Sequence, residues 1–121
     1  KDLSKKDFRP FVGTNSFFAM TAHIIYSKID KNNTATHSKL LIKKIIRKHF
    51  GFKGILISDD ISMKALKYDL ETNAKKAIDA GCNIILHCNG NIKEINKLSK
   101  IVPNIDSFTI KKTSDFYNFL G

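Results

Sequence analysis

Apolar residues in this chain fall into short continuous runs that alternate with stretches of helical spacing. Residues 1–15 are polar and mixed, and Lys5 to Phe11 reads as the end of a helix and a connection. Phe17-Phe18-Ala19-Met20-Thr21-Ala22-His23 is nearly all apolar, as a buried parallel strand is. Residues 27–37 are loop by composition. Ser38 is a natural N-cap for a helix from Lys39 to Phe50, whose Leu41, Ile42, Ile45 and Ile46 repeat at helical spacing. Gly51 stops it, because glycine takes a left-handed conformation without a Cβ clash. The run Gly54-Ile55-Leu56-Ile57-Ser58 ends abruptly in Asp59-Asp60. A helix from about Leu70 to Ala80 is stopped by Gly81, and Asn83 to Cys88 reads as a third buried strand. A helix from Ile92 to Ile101 is closed by Pro103, and the weakly patterned tail ends in one or two helical turns over Ser114 to Leu120.

Three apolar strands separated by amphipathic helices make a βαβαβα order, with no internal repeat. Such α/β units form parallel sheets with right-handed crossovers. Ligands then sit at the C-terminal ends of the strands, whether the sheet is open or closed into a barrel. Here those ends carry His23, the pair Asp59-Asp60, and His87-Cys88-Asn89.

The chain has 121 residues and a mass of 13.7 kDa, which suits one domain. Hydrophobic residues make up 42% and charged residues 26%, the balance of a globular rather than a disordered protein. No apolar run approaches the roughly 18–20 residues of a membrane span, so no membrane partner is expected. The start, Lys1-Asp2-Leu3-Ser4, has no apolar leader and no initiator Met, which predicts a cytoplasmic chain that begins partway through something longer. Cys82 and Cys88 make neither a disulfide framework nor a four-ligand zinc pattern, and both read as small core or site-lining thiols of a reducing compartment.

The net charge of +10 comes from 21 Lys and Arg against 11 Asp and Glu. Such a balance admits a basic nucleic-acid-binding module. The lysines are spread along the whole chain, however, and no aromatic stacking pattern accompanies them. The densest cluster, Lys43, Lys44, Arg47 and Lys48, reads as the solvated face of an amphipathic helix.

Two adjacent carboxylates at the end of an apolar strand call for a role beyond solubility. Successive side chains of an extended segment point to opposite sides, which gives Asp59 and Asp60 different jobs. A carboxylate at a strand end can act as nucleophile, general base or metal ligand. It can equally cap the turn that follows. From the strand-end position alone, catalysis and capping are both open.

The segment Gly51-Phe52-Lys53-Gly54-Ile55-Leu56-Ile57-Ser58-Asp59-Asp60-Ile61-Ser62-Met63 resembles the nucleophile segment of family 3 glycoside hydrolases. It is most similar to that of the bacterial β-N-acetylhexosaminidases, Gly-Phe-x-Gly-[apolar]3-Ser-Asp-Asp-Leu-Ser-Met, with Ile61 in place of Leu. Met20 to Tyr26 resembles the family's preceding strand and Ala80 to Gly90 its final barrel strand, so the likeness spans roughly residues 8–100. The resemblance implies that Asp59 is the nucleophile of retaining glycoside hydrolysis, with Asp60 its structural neighbour. It implies that Met20 and His23 help to line the sugar pocket. Met20 as core filler and His23 as a satisfied polar strand-end residue stand beside that reading. His87 and Cys88 read as wall residues, His37 and His49 as loop and helix surface.

The family fold is a (β/α)8 TIM barrel, which needs about 250 residues. By resemblance this chain supplies three βα units, the last part of such a barrel, and residues 1–121 are a partial catalytic domain without its N-terminal half. The family's glycine-rich strand, the loop with its Asp/His acid–base pair, and the Arg and Lys that grip sugar hydroxyls are absent from the sequence. Glu71 and Glu94 both fall on predicted helices, so neither stands out as a replacement acid. The implied substrate is a cell-wall saccharide bearing terminal β-linked N-acetylglucosamine, with no metal or organic cofactor. The alternative is a catalytically incomplete fragment of a split or decayed enzyme, which needs the missing N-terminal half as its partner.

Overall fold

A computed structural model describes residues 3–121; Lys1 and Asp2, part of the mixed N-terminal stretch, lie outside the described residues. Strands β1 (Phe18–Met20), β2 (Ile55–Asp60) and β3 (Ile84–Leu86) form one parallel sheet in the order β1-β2-β3. Phe18, Ala19 and Met20 lie opposite Ile55, Leu56 and Ile57. The outer strands are shorter than the apolar runs that predict them. Beyond Met20 the Thr21 amide still donates to Ile57 O at 2.9 Å, but side-chain hydrogen bonds then replace the ladder.

The helices follow the predicted stops. Ser38 caps the first, its hydroxyl accepting the Leu41 amide at 3.1 Å. From Leu41 to His49 this helix winds as a π-helix, and the Phe50 amide reaches back five residues to Ile45 O. Apolar spacing does not distinguish that winding from an α-helix. Helix α1 runs Leu70–Ala80 with an Asp69 N-cap, and α2 runs Ile92–Ile101 with an Asn91 N-cap. The tail corrects its expectation: α3 is a full helix, Ser107–Leu120, begun by Asp106, whose carboxylate accepts the Thr109 amide at 2.7 Å. Its apolar residues find partners far away in sequence, as Phe116 packs edge-on against Phe17 and Phe18.

The core lies between the sheet and the helices. Leu56 packs with Ile42, Ile46, Phe52, Ala77, Ala80 and Cys82, while Ile61, Leu66, Ala74 and Leu98 form a second cluster. Each fully buried Leu or Ile contributes about 1.5–3 kcal/mol, so Ile42, Ile55, Leu56 and Ile61 are principal anchors. Gly54 is dictated by close approach: a Cβ there would lie 2.4 Å from Phe17 O and 2.7 Å from Ser16 O.

Two surface readings change. Arg47 does not sit on a solvated face but turns inward, half-buried. Its guanidinium donates to Gly54 O at 2.6 Å, Phe52 O at 3.3 Å and Asn83 Oδ1 at 2.8 Å. It also lies 5.2 and 5.6 Å from the ring centres of Phe52 and Phe108. His37 is half-buried, and its Nε2 donates to Asn73 O at 3.2 Å. Burial pulls this imidazole below its ordinary pKa. His49 is exposed, as expected.

Among the described residues, β1 and β3 pair only with β2, so each keeps an unpaired edge. An apolar cleft of about 530 Å³ runs along β1, lined by Phe8, Phe11, Phe18, Met20 and Phe50. Another, of about 750 Å³, runs along β3, lined by Ile84, Leu86, Ile95, Leu98 and Val102. No described helix is long and apolar enough to cross a membrane.

Candidate active site

The site begins with an irregularity in β2. Ile57 lies opposite Ile84 and Asp60 opposite Leu86, so β2 spends one residue more than β3 over the same interval. This is a β-bulge, a device that re-aims side chains at the end of a strand. Ser58 completes the ladder there: its fully buried hydroxyl accepts the Leu86 amide at 2.9 Å. The Ile61 amide then returns to Leu86 O at 3.0 Å.

Asp59 and Asp60 leave the bulge with different partners, as strand alternation predicts. Asp60 is fastened. Its Oδ1 accepts the Ser62 amide at 3.0 Å, the Ser62 hydroxyl at 2.8 Å and the Cys88 amide at 3.1 Å. Partial burial pushes the Asp60 carboxyl up. The Ser62 amide and hydroxyl, the Cys88 amide and His87 outweigh that, and the group is held below the usual carboxylate range. Capping is therefore the job of Asp60. Asp59 is half-buried, and its Oδ1 takes only the adjacent Asp60 amide, at 2.8 Å. Among the described residues its Oδ2 has no hydrogen-bond partner.

His23 ties β1's continuation to this acid pair. Its Nε2 lies 2.8 Å from Asp60 O. A carbonyl can only accept, so Nε2 carries the proton, and in the neutral ring Nδ1 presents its lone pair. Thr36 Oγ1, 2.9 Å away, donates to it and shares that proton with Ala22 O at 3.2 Å. Thr21 Oγ1 lies 2.9 Å from Thr36 Oγ1 and accepts the Asp59 amide at 3.3 Å. The result is a closed circuit from the Asp59 amide through Thr21, Thr36 and His23 to the Asp60 carbonyl. Thr21 and Thr36 are buried, so the circuit is shielded from water.

The structure thus brings His23 to Asp59 and Asp60 through backbone bonds, with both ring nitrogens engaged by the protein. Met20 stands at the end of β1, 57% exposed, immediately before Thr21. Cys88 is an exposed thiol beside the acid pair, whereas Cys82 is buried in the core. Burial first, then the charges of Asp60 and Asp59, raise the Cys88 thiol; burial raises Cys82 to about 12. Sequence reasoning passed over Ser58, Ser62, Thr21 and Thr36. The two serines stand inside the recognised motif, where strand-end polar residues were the available signal. Thr36 lies in a segment that composition marks only as loop. Among the described residues no group of three or more His, Cys, Asp or Glu is arranged to hold a metal.

The family model described as "Glycosyl hydrolase family 3 N terminal domain" matches residues 1–113. The chain is 40% identical over 93 residues to a beta-hexosaminidase of Nitrosomonas eutropha, covering 73% of this chain and 26% of that protein. It is 34% identical over 121 residues to a beta-hexosaminidase of Haemophilus influenzae strain Rd, covering 93% of this chain and 34% of that one. Among solved structures it resembles CbsA from Thermotoga neapolitana, with a TM-score of 0.68 and 31% identity over 84% of this chain and 26% of that one. The beta-N-acetylglucosaminidase from Thermotoga maritima gives a TM-score of 0.64 and 29% identity over 84% and 25%. The chain spans about a quarter to a third of the length of these curated relatives. A parallel α/β sheet of this form, with the Gly51–Met63 segment at its centre and a family match over nearly the whole chain, makes this chain a member of glycosyl hydrolase family 3.

Proposed function

We propose that this chain is the C-terminal part of the barrel of a retaining β-N-acetylhexosaminidase, with Asp59 as nucleophile. The observation that carries the reading is the division of labour in the acid pair: Asp60 is bound by three donors, while Asp59 at the tip of the central strand keeps a carboxylate oxygen unengaged by the described residues. In the proposed reaction the Asp59 carboxylate attacks the anomeric carbon of a terminal β-linked N-acetylglucosamine. The glycosidic C–O bond breaks, and the leaving oxygen takes a proton from a general acid. Water then gives a proton back to the group that served as general acid and adds to the anomeric carbon of the glycosyl-enzyme ester, and Asp59 departs as a carboxylate. Met20, exposed at the end of β1, and His23, which holds the backbone of the acid pair, complete the proposed pocket floor. The substrate class is a cell-wall saccharide, and the location proposed is the cytoplasm.

The general acid is assigned to barrel units outside these 121 residues. Three βα units cannot close a (β/α)8 barrel. The two apolar clefts beside the unpaired edges of β1 and β3 support a chain that docks the remaining units there. The same clefts favour the companion reading, that the chain alone is catalytically incomplete.

The test is hydrolysis of a chromogenic β-N-acetylglucosaminide by this chain fused behind the corresponding N-terminal segment of the Haemophilus influenzae relative. The fusion is expected to turn over. Asp59→Asn is expected to lower its kcat by about a thousandfold or more, the scale seen when a covalent nucleophile is removed. A fusion that keeps its rate after Asp59→Asn overturns the assignment.

A further inference from the structure

Glu94 lies on α2, yet its side chain reaches back to the end of β3. Its Oε2 accepts the His87 Nε2 proton at 2.7 Å and the Asn89 Nδ2 proton at 2.7 Å. The turn between them is knitted to the same helix. Asn89 Oδ1 accepts the Asn91 amide at 2.8 Å, and Asn91 Oδ1 accepts the Lys93 and Glu94 amides at 3.0 and 3.3 Å. His87 is 7% exposed at its side chain, and its buried Nδ1 has no partner among the described residues. Glu94 therefore carries the hydrogen bonding of that ring.

Between His87 and Asn89 stands Cys88, whose amide donates to Asp60 Oδ1 at 3.1 Å. The path runs from the α2 carboxylate to the β3 turn, and from that turn to the carboxylate beside Asp59. Among the described residues the Asp60 carboxylate has two sources of restraint. Ser62 is its neighbour in sequence and needs no distant element. Cys88 comes from the turn that follows β3 and holds its place only as that turn does.

We propose that Glu94 is a positioning residue of the candidate site: by gripping His87 and Asn89 it sets the 87–91 turn, keeps the Cys88 amide on Asp60, and so holds Asp60 turned away from Asp59. Its consequence for catalysis rests on the reading of Asp59 as nucleophile. A second carboxylate swinging toward Asp59 would compete for the sugar and add like charge at the attacking group. The restraint itself is a property of the resting chain and is read without substrate.

The experiment is carboxyl-carbon NMR titration of Asp60, with amide hydrogen exchange of Cys88, in the 121-residue chain. The wild type is compared with Glu94→Ala and Glu94→Gln, and with Lys111→Ala, which breaks an exposed pair with Asp115 on α3, as a control. Glu94→Ala is expected to move the Asp60 midpoint upward toward the ordinary aspartate value. It is also expected to speed Cys88 exchange by about tenfold or more, the equivalent of about 1.4 kcal/mol. Glu94→Gln keeps an acceptor oxygen for both donors and is expected to stay close to wild type on both readouts. An Asp60 midpoint and a Cys88 exchange rate unmoved by Glu94→Ala overturn the proposal, and so does a Glu94→Gln that shifts both as far as Glu94→Ala does. Because neither readout involves turnover, failure here is distinct from failure of the Asp59 assignment, which the glycosidase assay decides.

Discussion

The imidazole of His23 donates from Nε2 to the backbone carbonyl of Asp60 at 2.8 Å, so a residue just beyond β1 holds the backbone of the acid pair at the end of β2. The same ring takes a hydrogen bond from Thr36, which belongs to neither strand. His23→Phe keeps a planar ring but removes both bonds, leaving Thr36 with only Thr21 and Ala22 O and the Asp60 carbonyl with only the Met63 amide. Loss of about 1–3 kcal/mol in unfolding free energy is expected, read from urea denaturation. A loss below about 0.5 kcal/mol, the range of an ordinary surface substitution, would show that the circuit does not hold the fold.

Gly54→Ala is expected to destabilise the chain although alanine is the smallest possible addition. The new methyl would meet backbone oxygens of Phe17 and Ser16, which belong to the neighbouring strand's approach and cannot swing away. Overpacking of this kind costs about 1–3 kcal/mol or more, seen as a lower thermal midpoint. An unchanged midpoint would mean that the two segments separate freely.

Acid should weaken the fold through Asp60. Its folded pKa lies below the ordinary value, so its contribution is complete above the unfolded pKa of about 3.9 and is lost as pH falls through the folded value. The urea midpoint of the wild type is expected to drop from about pH 4 downward. Asp60→Asn should start less stable at pH 7 and lose less over that window. Parallel pH profiles for the two proteins would contradict the bonding of Asp60 to Ser62 and Cys88.

The two thiols should separate cleanly under alkylation. Cys88 is exposed, while Cys82 is buried with its thiol raised to about 12. Excess iodoacetamide at about pH 8 is expected to modify the native chain once, at Cys88, slowed by the raised thiol there, and to reach Cys82 only after denaturant is added. Peptide mass spectrometry decides this, and native modification of Cys82 would contradict its place in the core.

Much of this protein is legible in its sequence because much of it is governed by local rules. Helix α2 runs over the predicted Ile92–Ile101 and α1 over Leu70–Ala80, since apolar spacing, a capping residue and a stop fall at matching places. The parallel sheet follows from continuous apolar runs, and the Gly51–Met63 segment points to the acid pair. What was missed depends on partners remote in sequence. Helix α3 has a weak pattern because its Phe116 packs on Phe17 and Phe18. Arg47 reads as one more surface cation until Gly54 O and Asn83 converge on it.

The sequence by itself determined the alternation of strands and helices, the place of two carboxylates at a strand end, and the family whose motif surrounds them. Tertiary structure decided which carboxylate is bound and which is left open. That choice depends on the bulge at Ser58, on the Cys88 amide arriving from the turn after β3, and on His23 reaching across from just beyond β1. A hydrogen bond reads distance and direction between atoms, and for residues about thirty positions apart those exist only once the strands are side by side.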